Sequence, residues 1–296
     1  MHKWGHLTAV AKLPLLAKAG RALGPIHWLH SVVLFCLCGM LVFSPGRTSD
    51  ENAATVFFFS PETSINNFSM LKGEFDLFFA SAGNHKFQPF NNRQGFEDML
   101  HSKRSGLYLM SSWHYARLPD KANWKPVLIG GLNGKHTQRH VISAKKKYSS
   151  FADLKGRTIA SAATIEFTQE LLREMLPPDQ QVLLPTFKIL KVPKDVDALL
   201  SVGFGVATAA LTTEGGLGKL SQINPGLFSK LGQIGTGPEK LLPVVVALLE
   251  PDAACTSLME VLRAMSEKAE GQQRLRMLGL DGWQPIENVH LKLLGK

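Results

Sequence analysis

Apolar positions along the chain recur with two alternating periods, and the alternation predicts an α/β protein. Thr55-Val56-Phe57-Phe58-Phe59 is apolar at consecutive positions, as in a strand covered on both faces. Ser60-Pro61-Glu62-Thr63 follows, with Ser60 suited to cap a helix that has Pro61 at its first position. Phe68, Leu71 and Phe75 continue that helix at helical spacing. Residues 86–90, 107–110, 126–130 and 138–143 read as further strands, with a short helix over 95–102 and a turn at Asn133-Gly134-Lys135.

The middle of the chain repeats this grammar. Tyr148-Ser149-Ser150 is a polar turn, Phe151 and Leu154 point one face of a helical turn inward, Gly156 stops it, and 158–160 form a strand. Ser161-Ala162-Ala163-Thr164 then leads into a helix over 165–176 that ends at Pro177-Pro178. Strands are expected at 187–190 and 206–211, with a helix over 193–202 between them. After Asn224-Pro225-Gly226 come two further apolar runs, 227–234 and 241–247. Pro251-Asp252 opens a helix to Lys268, and 272–278 adds a helical turn or two.

In such an architecture small ligands sit outside the carboxyl ends of strands, where helix-start amides and hydroxyls hold an anion. Candidate donors are Ser60 and Thr63, Ser111 and Ser112, Ser161 and Thr164, and Thr208 or Thr212. The loop after the 107–110 strand also offers flat faces with polar tips in Trp113 and Tyr115, and a donor in His114. Catalytic signatures are absent: there is no Gly-x-Ser-x-Gly, no phosphate-binding Walker loop and no His-Glu-x-x-His. His136 and His140 are four apart but flank a strand, about 13 Å along the backbone, so they do not read as a metal pair.

Composition adds a leader. Residues 1–50 carry Lys3, Lys12, Lys18, Arg21 and Arg47 against Asp50, and include the apolar run Val32 to Phe43. The run is short for a membrane span and fits the core of a signal peptide, with Ser44 and Gly46 before a cut at Arg47; an uncleaved anchor is the alternative. Cys36 and Cys38 lie in that run, leaving Cys255 alone in the mature part and no internal disulfide there. Residues 51–296 hold 28 basic and 23 acidic side chains, mildly basic and too diffuse for a nucleic-acid surface. Lys145-Lys146-Lys147 reads as a solvated loop, with guidance of an anion or contact with a partner as the alternative.

Three stretches resemble a known family. Ser150-Phe151-Ala152-Asp153-Leu154-Lys155-Gly156-Arg157-Thr158-Ile159-Ala160, the opening Ser60-Pro61-Glu62 after the first strand, and the ending Leu275-Arg276-Met277-Leu278-Gly279-Leu280-Asp281-Gly282-Trp283-Gln284-Pro285 are similar to the phosphate/phosphonate-binding group of type II periplasmic solute-binding proteins of ABC importers. The resemblance implies a two-lobed α/β fold, each lobe a mostly parallel sheet flanked by helices, with the ligand cleft between them. Lobe one would be 51–140 plus 230–296, lobe two 141–229, and 1–50 the signal peptide or anchor. It further implies a monomeric, non-enzymatic binder with no cofactor or metal and no nucleic-acid partner. That binder sits in the periplasm or tethered to the inner membrane, captures a small anion by hinged closure and docks on an ABC permease there. The Ser60-Pro61-Glu62 loop would lie at the cleft, which adds Glu62 to the candidates.

Two departures qualify the ligand. The family's lobe-two phosphate loop resembles Ser-x-Ser-Gly, whereas this chain has Ala162-Ala163-Thr164-Ile165-Glu166, and Thr208 stands where an Asp is usual. Glu166 facing the cleft would repel a dianion, so another small anion or a neutral metabolite is an open alternative. Two other roles also fit the residues: a tethered periplasmic sensor signalling to a membrane kinase or cyclase, and a pyrimidine-synthase-like enzyme that would need a reactive His114 or Cys255.

Overall fold

The computed structural model describes residues 53–62 and 67–295. Thr63 and the predicted leader at 1–50 therefore lie outside the described residues. Thirteen strands are found among the described residues: β1 (Thr55–Phe59), β2 (Lys86–Pro89), β3 (Leu107–Met110), β4 (Trp124–Gly131), β5 (Thr137–Gln138), β6 (His140–Lys145), β7 (Thr158–Ser161), β8 (Lys188–Lys191), β9 (Ala209–Thr213), β10 (Leu231–Thr236), β11 (Lys240–Leu241), β12 (Val244–Leu248) and β13 (Gly282–Pro285).

They form two large sheets of the same design. The first runs β2-β1-β3-β12-β4, with β13 added at the edge, and the second runs β8-β7-β9-β6-β10. In each, three parallel strands are followed by one antiparallel strand that arrives from the far side of a lobe crossing. The crossings themselves pair: β5 and β11 form a two-stranded antiparallel ribbon, Thr137 opposite Leu241 and Gln138 opposite Lys240. Two short strands side by side make a narrow joint between two compact lobes.

Both faces of each sheet are covered, which explains the unbroken apolar runs. On β1, Val56 and Phe58 face a cluster with Phe75, Phe79 and Leu258. Phe57 and Phe59 face another cluster with Phe96, Tyr108 and Tyr115. Phe75 stacks on Phe87 at 4.3 Å, which fixes the helix Phe68–Ala80 over β2. In the second sheet Ile142, Ile159 and Leu211 pack on Phe167, Leu171 and Leu172 of the helix Ile165–Met175. The small residues Ala160 and Ala210 on the other face let the helix Asp195–Gly203 come close.

Several predicted boundaries move, each for a local reason. Pro61 does not begin the first helix. That helix starts at Phe68, because Asn67 caps it by accepting from the Met70 amide at 2.8 Å. Residues 112–116, expected as loop, form a helical turn capped by Ser111. The strand expected at 206–211 lies at 209–213. Gly205, at φ +79°, ends the preceding helix, and the amides of Val206 and Ala207 both donate to the Ser201 carbonyl, so these residues close the helix instead of entering the sheet. β10, expected to return to lobe one, pairs antiparallel with β6 in the second sheet, and the return crossing comes after it, where the Gly237 amide donates to the His140 carbonyl. Gly156, at φ +71°, stops the 152–154 turn as the sequence predicts.

Candidate functional site

The carboxyl ends of β1 and β3 in one lobe face those of β7 and β9 in the other, and the candidate residues collect around this seam. In lobe one, Ser60 accepts from the Glu62 amide at 3.3 Å and holds the turn after β1. The Pro61 carbonyl reaches across the seam to the Thr164 amide at 2.8 Å. The Glu62 carboxylate accepts from Gln138 of the joint at 2.7 Å. Burial pushes the Glu62 carboxyl up to about 7; nearby Asp195 adds to the rise, while Gln138 and Lys240 oppose it.

After β3, Ser111 accepts from the His114 amide at 3.1 Å, and the Ser112 hydroxyl donates to the Leu241 carbonyl at 2.8 Å, tying this turn to the joint. Trp113 belongs to lobe one by sequence but is buried in the lobe-two cluster, edge-on to Phe167 at 5.3 Å. The guanidinium of Arg117 lies over the indole at 4.6 Å and that of Arg93 at 5.7 Å. His114 is buried edge-on to Phe59, with Nε2 3.0 Å from the Glu97 carboxylate and Nδ1 without a partner. Burial pulls its pKa down, and Glu97 works the other way. Tyr115 is core on the second face of the lobe-one sheet rather than a seam residue.

In lobe two, the Ser161 hydroxyl is buried, accepting from the Ala163 amide at 3.2 Å and from Thr168 at 3.0 Å. Thr164 caps the helix Ile165–Met175 through the Phe167 amide. Thr208 is corrected. Its amide donates to the Thr158 carbonyl at the start of β7, which places it at the amino end of the sheet, a strand's length from the seam. Glu166, in the first turn of the helix Ile165–Met175 at the seam, pairs with Arg93 of lobe one.

Sequence reasoning missed most of the charge arrangement. Glu166, Glu170 and Glu174 lie four apart on one helix, and each meets a cation from outside lobe two: Arg93 and Arg117 of lobe one, and Lys240 of the joint at 2.8 Å. The spacing of the glutamates is visible in the sequence; their partners are distant in the chain and are not. Asp195 was also missed. It accepts from the amide and hydroxyl of Thr213 at 2.8 and 2.7 Å and anchors the end of β9 at the seam. Cys255, by contrast, lies beside Ser105 just before β3, at the opposite end of the lobe-one sheet from His114, and burial pushes its thiol up to about 11.

Two lobes of like topology, a two-stranded joint and a seam at the strand ends define the two-lobed fold of periplasmic binding proteins. Residues 84–291 match the family model described as ABC transporter, phosphonate, periplasmic substrate-binding protein, and the chain belongs to that family. No curated protein matches the sequence. Among solved structures it is similar to a Xanthomonas citri protein bound to chloride (13% identity, 82% of this chain and 95% of that one, TM-score 0.59). It is likewise similar to a binding protein component of an ABC phosphonate transporter from Pseudomonas aeruginosa (14%, 81% and 83%, 0.58). A third similar structure is PhnD1 of Prochlorococcus marinus in complex with methylphosphonate (13%, 83% and 97%, 0.56). These likenesses confirm the two-lobed fold.

Proposed function

We propose that this chain captures a small phosphonate-like anion in the seam between its lobes and presents it, by closure about the β5/β11 joint, to an ABC permease in the inner membrane. The observation that carries the reading is the Thr164 amide at the start of the helix Ile165–Met175, which donates across the seam to the Pro61 carbonyl. An acceptor oxygen of a ligand can take the place of that carbonyl when the lobes part, with the partial positive charge of the helix start favouring an anion. Ser60, Ser111 and Thr164 flank this point and are the proposed contacts. Ser112, Ser161, His114 and Tyr115 support the walls, and Trp113 closes them. The Glu62 carboxylate nearby disfavours a second full negative charge, which argues for a monoanion or for a ligand that also carries a positive group. Family membership supports a periplasmic or membrane-associated location and a role in transport, with 53–131 and 244–295 forming lobe one and 140–236 lobe two.

The test is a calorimetric and thermal-shift titration with inorganic phosphate, methylphosphonate, an aminoalkylphosphonate and a sulfonate. A ligand at 100 times its dissociation constant raises stability by about 2.7 kcal/mol, and the gain must fall when Thr164→Pro removes the amide donor. Absence of a shift with every one of these probes would overturn the reading. A tethered sensor is the second reading, favoured by the three ion pairs and the Trp113 insertion, which hold the lobes together through protein contacts alone.

A further inference from the structure

The seam uses only one end of the lobe-two sheet; the other end has a character of its own. Across that amino-terminal pole the sheet order brings five chain ends side by side: the start of β10, the end of β6, and the starts of β9, β7 and β8. At about 4.8 Å per strand the row is roughly 19 Å wide. Its ends carry Lys230, Lys146, Arg157 and Lys188, all exposed. The backbone knits them together: the Lys146 amide donates to the Lys230 carbonyl, and that of Lys188 to the Arg157 carbonyl. Among the described residues none of these four cations is in an ion pair. The acid beside them, Asp153, is occupied by the amides of Ser149 and Ser150.

In the middle of this row, just before β9, stand Phe204 and Val206, 80% and 63% exposed. Their outward position is built in. The left-handed Gly205 separates them, and the Val206 amide turns inward to the Ser201 carbonyl, which leaves both side chains facing out. An apolar pair set in a row of unpaired lysine and arginine side chains, with Lys146 and Arg157 on the neighbouring strands, matches a bilayer interface. There the rings enter the acyl boundary and the cationic heads reach the phosphates. An acidic protein or a nucleic acid would satisfy the cations but would leave the two apolar tips in water.

We propose that this pole of lobe two is a docking face for an anionic phospholipid bilayer. It faces away from the seam, so docking leaves the lobes free to open.

Hydrogen exchange of the full chain tests this with vesicles of phosphatidylcholine alone and with about one-third phosphatidylglycerol. Membrane contact by residues 1–50 is then common to wild type and variants. Peptides covering 145–147, 203–207 and 228–232 are expected to exchange more slowly only with the anionic vesicles. Lys146→Glu/Arg157→Glu/Lys230→Glu abolishes the slowing, whereas Lys268→Glu/Lys292→Glu on lobe one retains it. Phe204→Ser, a surface change that leaves folding intact, weakens it. No slowing at these peptides would overturn the proposal, as would equal slowing with neutral vesicles or slowing that survives the triple reversal. Heparin reproducing the effect, with Phe204→Ser neutral, would reassign the face to a soluble polyanion.

Discussion

The three glutamates of the helix Ile165–Met175 make the contact across the seam measurable as an electrostatic quantity. Glu166→Gln/Glu170→Gln/Glu174→Gln keeps side-chain shape and removes the charges facing Arg93, Arg117 and Lys240. Glu166 is 58% exposed, so its pair contributes little, about 0.3 kcal/mol, whereas Glu170 and Glu174 are 21% and 27% exposed and sit nearer the upper range for surface pairs, about 1 kcal/mol each. Together the loss is about 2 kcal/mol, or roughly a 30-fold shift toward the open form. The Thr164 amide, bonded to the Pro61 carbonyl across the seam, reports that opening through its hydrogen exchange. Its protection is expected to fall by that factor in the triple variant, and to fall in wild type as NaCl rises from ~0.05 to ~1 M, while amides inside either sheet are unchanged. Equal Thr164 protection in the two proteins at every salt concentration would refute the view that these pairs hold the lobes together.

Other expectations follow from single groups. Trp113→Ala empties a site in the lobe-two cluster and should lower unfolding free energy by about 3–5 kcal/mol in a denaturant titration; a change under about 1 kcal/mol would mean that the indole is not core. Glu62 is raised from about 4.5 to about 7 on folding. The stability this lends is full below pH 4.5 and is lost as pH rises to 7, so Glu62→Gln should flatten the stability profile across that window. His140 behaves oppositely: burial, with Lys240 assisting, lowers it to about 4. Its contribution is therefore present above pH 6.5 and lost as pH falls toward 4, and thermal unfolding of His140→Gln should show a weaker acid limb.

What the sequence revealed depended on how local the signal was. Phe57-Phe58-Phe59 reads as a strand covered on both faces because burial imprints every position, and Gly156 reads as a stop because only glycine takes its conformation cheaply. Boundaries failed where a neighbour outside the window decided them, as when Ser201 drew Val206 and Ala207 into a helix cap. The candidate hydroxyls pose a subtler problem. Ser111, Ser161 and Thr164 read as anion donors because hydroxyls at strand ends bind anions, yet the same positions favour local backbone bonds, and in the structure Ser111 and Thr164 cap helices while Ser161 closes a turn. Residue type alone cannot separate the two uses. The partners of the glutamate row and of Trp113 come from far along the chain, so no sequence window contains both halves of those contacts.

The antiparallel strand β12 lies between β3 and β4 although it follows the whole of lobe two in the chain. During vectorial emergence of the polypeptide, the contiguous segment 140–236 holds all five strands of its sheet and can assemble at once. The earlier segment cannot, because its central position stays empty until residues 244–248 appear. The lobe begun first is thus the one completed last.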